Sequence, residues 1–262
     1  MLELRAAALD ALCFADPATK LAAVAALAAE GLVVDTQREI AEPPAVPGRP
    51  QRPQLVRPGE VAQRSAATEQ GRAALVHALA HIEFNAINLA LDITWRFAGL
   101  PELFYREWAR VAVEEAAHFS LLQARLVELG VAYGDFPAHD GLWEMAAKTR
   151  TDLVARLALV PRTLEARGLD ASPAVRAKFA SAGDAKSAQI VDVILRDEIG
   201  HVATGNRWFR FVCAELRIDQ IGAQTAAVVR YGAPVLRGPF NLAARRSAGF
   251  SDEELQELSK HN

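Results

Sequence analysis

Residues 114–119 form the stretch Glu-Glu-Ala-Ala-His-Phe, and residues 197–202 form the similar stretch Asp-Glu-Ile-Gly-His-Val. In each stretch, a glutamate is followed three positions later by a histidine. The pairs are Glu115 with His118, and Glu198 with His201. On an α-helix, side chains three positions apart lie on one face, with Cβ atoms about 5–6 Å apart. Because a carboxylate and an imidazole held in this way can reach the same ion, each stretch predicts metal ligands on a helix. Without a thiolate, this ligand set suits iron or manganese better than a structural zinc ion.

A single Glu-x-x-His pair is weak support for a metal site, because glutamate is common on helices and a lone histidine is usually a core or surface residue. Two copies on separate helices are stronger support, since they use two of the six histidines in the chain. A carboxylate-bridged dimetal site in a helical bundle needs one more glutamate from each of two further helices. The dimetal interpretation therefore depends on two additional glutamates.

Glu83 and Glu165 are the candidates for these positions. Glu83 is the only glutamate between Glu69 and the end of its predicted helix, and it lies in an apolar stretch where an unpaired carboxylate is costly to bury. Glu165 is the only glutamate in its own predicted helix. Glu83 lies 32 positions before Glu115, and Glu165 lies 33 positions before Glu198. Two such helices joined by a tight turn place these positions at similar depth, so the sequence predicts one site with six ligands.

Four long helical segments carry these residues. They are predicted at residues 65–99, 101–130, 149–167 (with a kink at Pro161) and 184–216. The longer connection between the second and third segments predicts an all-α fold, a four-helix bundle with one crossover. Ser172-Pro173 predicts the start of a separate short helix, because proline is favoured in the first helical turn.

Both ends of the chain predict appendages to this bundle. Residues 1–60 contain two short helices, of which the second begins at Asp16-Pro17 and ends at Gly31. A proline- and arginine-rich segment follows that cannot be helical, so it forms either an arm that wraps the surface or a linker. Residues 61–217 form the predicted bundle, and residues 218–262 form a C-terminal extension of two or three short helices.

The ligand pattern resembles that of the ferritin-like dimetal carboxylate superfamily, over about residues 65–217. All six ligand positions match in type: Glu83, Glu115, His118, Glu165, Glu198 and His201. Within the superfamily, the segments 81–83, 114–118 and 197–201 resemble an uncharacterised bacterial ferritin-like family of unknown function. The six ligands are also distantly similar to those of the tRNA-hydroxylating non-haem di-iron enzymes. The two terminal appendages have no counterpart in the minimal superfamily fold.

The resemblance implies that Glu115 and Glu198 bridge two metal ions. Each ion also binds the remaining glutamate and the histidine from one half of the bundle. A ligating imidazole usually donates its second N–H to a carboxylate or a carbonyl. Glu114 and Asp197, each immediately before a bridging glutamate, are candidates to accept that hydrogen bond. For Glu114, a solvent-facing position is the alternative.

The implied cofactor is a pair of iron ions, with manganese as the alternative metal. The implied function is an O₂-dependent di-iron oxidoreductase of the monooxygenase or oxidase type, which needs an electron donor and a small-molecule or tRNA-type substrate. A homodimer is a further expectation. Three alternatives stay open: an iron-binding protein with ferroxidase or metal-handling activity, a manganese catalase, and a helical bundle without metal.

The bulk composition excludes several other classes. Apolar residues make up 51% of the chain, charged residues 23%, and the net charge is −3, so general attraction to nucleic acid or to an anionic membrane is not expected. The two cysteines, Cys13 and Cys213, lie far apart in sequence and do not indicate a disulfide framework. The N-terminus lacks the pattern of a secretory signal, so a soluble cytoplasmic protein is expected.

Overall fold

The structure, a computed structural model, describes residues 3–61 and 65–260. Apart from two isolated β-bridges, the regular structure of these residues is helical, which confirms the all-α prediction. The chain divides into two compact units, residues 1–143 and 144–262. The predicted domain boundaries after residues 60 and 217 stay predictions. Residues 62–64, which adjoin the first of them, and residues 1–2 and 261–262 in the predicted appendages lie outside the described residues.

The first unit begins with the two short helices that the sequence predicts. Its α-helices are α1 (Leu4–Cys13), α2 (Pro17–Ala26), α3 (Glu69–Arg96) and α4 (Glu102–Glu128), and α5 (Gly141–Lys148) crosses the boundary between the units. The side chain of Asp16 accepts the N–H of Thr19 and caps α2 as expected. The helix ends at Ala26, however, several residues before the predicted stop at Gly31.

Helices α3 and α4 pack side by side, and α1 packs on α3. Both long helices lie within their predicted ranges, and α3 begins after Thr68, whose hydroxyl accepts the N–H of Gly71. Among the described residues, α3 is the one helix with the length and composition to cross a membrane. However, 72% of its most apolar window is buried inside the protein, which is usual for the core helix of a soluble protein.

The segment between α2 and α3 is anchored by a buried arginine. As its prolines predict, the described part of the segment contains no α-helix, only a single 3₁₀ turn at Pro58–Glu60. Arg5 of α1 is fully buried, and its Nη1 donates to the carbonyl oxygens of Asp35 and Arg38 at 2.7 Å each. Its Nη2 donates to the carbonyl oxygen of Trp95 in α3 at 2.8 Å. The Arg5 side chain therefore joins the segment to α1 and α3.

The second unit contains the other two long helical stretches and the C-terminal helices. Its elements are α6 (Leu153–Leu159), a π-helical turn (Val160–Glu165), α7 (Ala166–Ser181), α8 (Ala185–Leu216), α9 (Gln220–Tyr231), α10 (Leu242–Ser247) and α11 (Asp252–Ser259). Helix α8 begins after Asp184, as predicted, because the Asp184 side chain accepts the N–H of Ser187. Three short helices follow α8, in agreement with the prediction for the tail.

The third long helix differs from its prediction. Helix α6, the π-helical turn and α7 follow one another without a break, so the stretch continues to Ser181. Pro161 lies in the π-helical turn, a widened turn that accommodates the missing N–H of proline. The turn packs tightly on α8, since a β-carbon at Gly205 would lie 2.5 Å from Cβ of Pro161.

The prediction that Ser172-Pro173 starts a new helix is wrong, because Pro173 lies inside α7. A proline in a helix leaves the carbonyl group four residues earlier without its donor, here that of Leu169. The side-chain nitrogen of Asn241 donates to the Leu169 carbonyl oxygen at 3.2 Å. The helix continues through the proline because a residue from the tail supplies the missing hydrogen bond.

Candidate metal centre

Three of the predicted ligands come from the packed helices of the first unit. Glu83 lies near the middle of α3, and Glu115 and His118 lie one turn apart on α4. All three residues are buried: Glu83 is 2% exposed, Glu115 is 1% exposed and His118 is 2% exposed. Phe84, the residue after Glu83, packs against Phe119, the residue after His118, with ring centroids 5.3 Å apart. The core of the first unit thus encloses three polar groups.

These three side chains converge on one point. Nδ1 of His118 lies 3.3 Å from Oε2 of Glu83 and 3.3 Å from Oε2 of Glu115. One ligand atom from each residue lies within 4.8 Å of the other two. With metal–ligand bonds of about 2.0–2.2 Å, neighbouring ligands of one ion are about 3.0–3.4 Å apart. The two separations from His118 therefore match those of neighbouring ligands around one metal ion.

Burial and mutual repulsion perturb the acid–base behaviour of this group. Burial, and then the charge of Glu115, raise the pKa of Glu83 to about 8. Burial alone would lower the pKa of His118, but its hydrogen bonds and charge interactions with Glu115 and Glu83 raise that pKa to about 11. Without a metal ion, the group holds protons that compensate the buried carboxylates. A divalent cation can replace those protons, which is how metal binding is coupled to proton release.

The donor set also fits a transition metal. It provides two carboxylate oxygens and one imidazole nitrogen, without a thiolate. Oxygen and imidazole donors suit iron and manganese, while structural zinc sites are usually rich in cysteine. The residues present therefore fit an iron or manganese ion.

The second unit carries the other predicted ligands. Glu198 and His201 lie one turn apart on α8, 7% and 1% exposed, and Nδ1 of His201 is 3.9 Å from Oε2 of Glu198. Glu165 is the last residue of the π-helical turn and is half-buried. That turn packs against α8. The second unit therefore contains a buried Glu–His pair like that of α4, and Glu165 lies on a neighbouring element.

The two residues predicted to support the ligands have arginine partners. Oε1 of Glu114 lies 3.7 Å from Nε of Arg110, one turn earlier on α4, and the Glu114 side chain is 41% exposed. Asp197 accepts hydrogen bonds from its neighbour Arg196, at 2.8 Å from Nε. The Glu114 position matches the solvent-facing alternative more closely than a buried supporting role. A supporting role for either residue stays a prediction.

Beside Glu83 and His118, the structure forms a polar network that the sequence motifs do not indicate. The hydroxyl group of Tyr133 lies 2.9 Å from Nδ1 of His81, and the ring of Tyr133 packs on Phe84 and Phe119 with centroids 5.6 Å and 5.0 Å away. The next residue, Gly134, donates its N–H to Nε2 of His77 at 2.9 Å. Because these contacts come from a loop more than fifty residues away in sequence, no local motif predicts them.

The fold and this cluster define an all-helical protein with a buried group of carboxylates and imidazole that can hold a metal ion. The chain belongs to the family described as "Protein of unknown function (DUF455)", whose family model matches residues 13–256. It is also 49% identical, over 213 residues, to an uncharacterised protein of Haemophilus influenzae; the match covers 79% of this chain and 74% of that protein. No solved structure matches the chain.

The family match extends beyond the region of the predicted bundle. Residues 13–256 include most of the N-terminal segment and nearly all of the C-terminal helices, so both are part of what the family shares. The expected similarity to a family of unknown function is confirmed at this level. Membership of the ferritin-like superfamily stays a prediction.

Proposed function

We propose that the chain is a ferritin-like dimetal carboxylate protein that holds two iron ions. The proposed ligands are Glu83, Glu115, His118, Glu165, Glu198 and His201. The observation that carries the proposal is the buried cluster of Glu83, Glu115 and His118, with ligand atoms within 4.8 Å of one another. Two buried carboxylates this close are costly without a cation, so the cluster is better explained as a metal site than as a means of stabilising the fold.

The second Glu-x-x-His pair is the reason for proposing two ions. Glu198 and His201 repeat on α8 the arrangement of Glu115 and His118 on α4, including burial of both side chains. Following the resemblance, Glu115 and Glu198 would hold both ions, and Glu165 and His201 would complete the second one.

We propose an O₂-dependent oxidoreductase, of the monooxygenase or oxidase type, as the function of this site. A pair of ferrous ions supplies the two electrons that reduction of O₂ to the peroxide level requires. Five of the six proposed ligands are buried on α3, α4 and α8, and burial on helices supports a site with fixed orientation and little water. An electron-donating partner and a small-molecule or tRNA-type substrate are further parts of the proposal.

The first experiment measures metal content. Full-length protein is purified without oxygen under iron-replete conditions, and iron and manganese are counted by mass spectrometry. We expect about two ions per chain, with iron in excess. The Glu115→Gln and Glu198→Gln variants keep the side-chain shape but lose the bridging charge, so we expect at most one ion in each. A content far below two ions in the unaltered protein would contradict the dimetal site.

The matched control is Glu128→Gln, a change of the same kind on α4. Glu128 is 41% exposed and pairs with Arg125 on the surface, far along the helix from the cluster. We expect the metal content of this variant to equal that of the unaltered protein. A loss as large as that of Glu115→Gln would show that the effect is not specific to the ligands.

The second experiment separates the reactions. The iron-loaded protein, reduced by a chemical donor, should consume O₂ without accumulating a ferric mineral core, and its native mass should be that of a small oligomer. A large hollow assembly that mineralises iron would favour iron storage instead. Rapid disproportionation of hydrogen peroxide by the manganese-loaded protein alone would favour a catalase. Either result would overturn the proposal of an O₂-dependent monooxygenase or oxidase while leaving the metal site in place.

A further inference from the structure

A pocket with a volume of about 380 Å³ opens in the second unit, and none of the proposed metal ligands lines it. Its walls are mainly apolar and come from α9, from the chain between α9 and α10, and from the chain between α10 and α11: Ile221, Val228, Val229, Val235, Leu236 and Phe250. Sites for small molecules usually have volumes of about 300–1,000 Å³, apolar walls and a few polar groups in defined positions. The size and walls of this pocket fit that description.

The polar group of the pocket is the guanidinium of Arg162, a residue that is only 4% exposed. Its Nε donates to Oδ1 of Asn206 at 2.7 Å, its Nη1 donates to Oε1 of Gln224 at 3.3 Å, and its Nη2 pairs with Glu254. A guanidinium has five N–H donors. Among the described residues, these contacts occupy three of them, so Arg162 has donors left for an oxygen atom of a ligand.

The position of Arg162 is held from several sides. The guanidinium lies over the ring of Phe209, with its carbon 4.0 Å from the ring centroid. Gln224, which accepts from Arg162, also donates from Nε2 to Oγ1 of Thr163 at 2.9 Å and to the carbonyl oxygen of Ala158 at 3.2 Å. Arg162 and Thr163 both belong to the π-helical turn, an element that often occurs at functional sites. The polar end of the pocket is therefore ordered before any ligand binds.

The charges that line the pocket are balanced. Arg162 pairs with Glu254, and Arg245 donates to both carboxylate oxygens of Asp170, at 3.0 Å and 2.6 Å. The remaining charged residue of the lining, Glu257, pairs with Lys260. A carboxylate ligand at Arg162 would lie beside Glu254, and an ammonium ligand would meet the guanidinium itself. Because both arrangements bring like charges together in a poorly hydrated place, an uncharged ligand is favoured.

We propose that this pocket binds an uncharged, mainly apolar molecule that carries an oxygen acceptor at one end, directed at Arg162. At about 20–30 Å³ for each non-hydrogen atom or water, the volume admits roughly 13–19 such atoms. A medium-chain ketone, alcohol or ester has this chemistry. None of the proposed metal ligands lines this pocket, so the proposed binding does not depend on the proposed function.

The test uses the fluorescent, uncharged probe N-phenyl-1-naphthylamine, titrated into the full-length protein. We expect saturable binding of one probe per chain and displacement of the probe by 2-decanone. Decanoate and decylammonium have similar chains but opposite charges, and we expect each to displace the probe at least about tenfold less effectively. Absence of saturable binding, or displacement by decanoate that equals or exceeds that by the ketone, would overturn the proposal.

Two variants test whether the probe binds in this pocket. Val228→Glu introduces a charge into its wall, and we expect at least about a tenfold loss of probe affinity. Val127→Glu is the matched control, since Val127 lies on α4 in the first unit and is 68% exposed. We expect the control to bind the probe as the unaltered protein does. Equal binding by the Val228→Glu and Val127→Glu variants would overturn the proposal.

A second pocket variant keeps the test decisive in case the Val228→Glu protein does not fold. Val235 lines the pocket and is 69% exposed, so a tryptophan at this position can obstruct the opening without disturbing a core. We expect Val235→Trp to retain its helical circular dichroism and to lose probe binding. Unchanged binding would overturn the proposal. Conversion of a dimer into a monomer by Val235→Trp would also overturn it, because a second copy of the chain would then be the occupant.

Discussion

Gly205 of α8 lies so close to Pro161 of the π-helical turn that a β-carbon at position 205 would be 2.5 Å from Cβ and 2.8 Å from Cγ of the proline. Contacts of this kind do not occur between real side chains, so the backbone of α8 and the π-helical turn depend on a residue without a side chain at this point. The glycine costs helix propensity, and the close packing compensates for it.

Gly205→Ala should therefore destabilise the protein by about 1–3 kcal/mol through overpacking, despite the higher helix propensity of alanine. The free energy of unfolding in urea measures the effect. Gly168→Ala on α7 is the control, because a β-carbon there meets no atom within 4 Å. That variant should gain about 0.5–1 kcal/mol. Equal effects of the two substitutions would show that the contact with Pro161 does not decide the stability of this packing.

The hydrogen bond from Asn241 to the Leu169 carbonyl predicts a coupling with Pro173. Asn241→Asp keeps an acceptor for the N–H of Ala244 at the start of α10, but it removes the donor to Leu169. We expect a loss of about 1–2 kcal/mol. Pro173→Ala restores the backbone N–H that can donate to Leu169, so Asn241→Asp should cost less in that background. A double-mutant cycle measures the coupling, and strictly additive effects would contradict this explanation of the unbroken helix.

Metal-free protein should become less stable as the pH rises from 7 to 9, a range in which His77 is neutral in both the folded and the unfolded state. The pKa of Glu83 is raised from 4.5 to about 8, mainly by burial, so the folded state holds a proton that the unfolded chain has released. That contribution to stability is complete below pH 4.5 and is lost as the pH approaches 8. The raised pKa of His118, about 11 against 6.5, acts in the same direction above pH 6.5. Thermal unfolding in the presence of a chelator, recorded across this range, measures the slope.

Glu83→Gln should flatten this dependence and stabilise the metal-free protein by about 1–3 kcal/mol at pH 8, because the buried carboxylate is removed. The same variant should bind less metal than the unaltered protein. The two readouts together distinguish a metal ligand from a residue that supports the fold. Lower stability of the metal-free variant, together with unchanged metal content, would identify Glu83 as a structural residue.

A low-pH effect is expected at His77. Its Nε2 accepts the N–H of Gly134, which requires a neutral ring, and burial lowers its pKa from 6.5 to about 4. The unfolded chain therefore binds a proton below pH 6.5 that the folded state excludes, and stability falls as the pH drops from 6.5 to 4. His77→Gln retains an acceptor but does not titrate. Urea unfolding at pH 7 and pH 5 should show a smaller difference for the variant than for the unaltered protein.

The anchoring of the N-terminal segment predicts that Arg5 cannot be replaced by lysine. Arg5 donates to three carbonyl oxygens in different directions, and a single ammonium on a longer, flexible stem does not reproduce that fork. Arg5→Lys should cost about 2–4 kcal/mol. It should also accelerate trypsin cleavage in the segment between α2 and α3. Arg110→Lys, at an exposed position of α4, is the control, and equal cleavage rates for both variants would contradict the anchoring role.

The sequence by itself determined the features that depend on neighbouring residues. The cap at Asp16 predicts where α2 begins, because residues within one helical turn interact whatever surrounds them. The pairing of Glu115 with His118, and of Glu198 with His201, follows from the same one-turn spacing. Helix ends were less predictable, as the early end of α2 shows, because they depend on competing local hydrogen bonds.

Only the tertiary structure decided which distant residues meet. Glu83 lies beside His118, and Asn241 donates a hydrogen bond to the Leu169 carbonyl oxygen. The buried Arg5 side chain donates to a carbonyl oxygen of α3. Each of these contacts joins elements that are separated by tens of residues. The pocket at Arg162 likewise forms from helices that share no sequence motif. Such contacts depend on how helix faces pack, and packing is a property of the whole core. The sequence thus predicts the residues of the buried cluster in the first unit, and the tertiary structure decides their geometry.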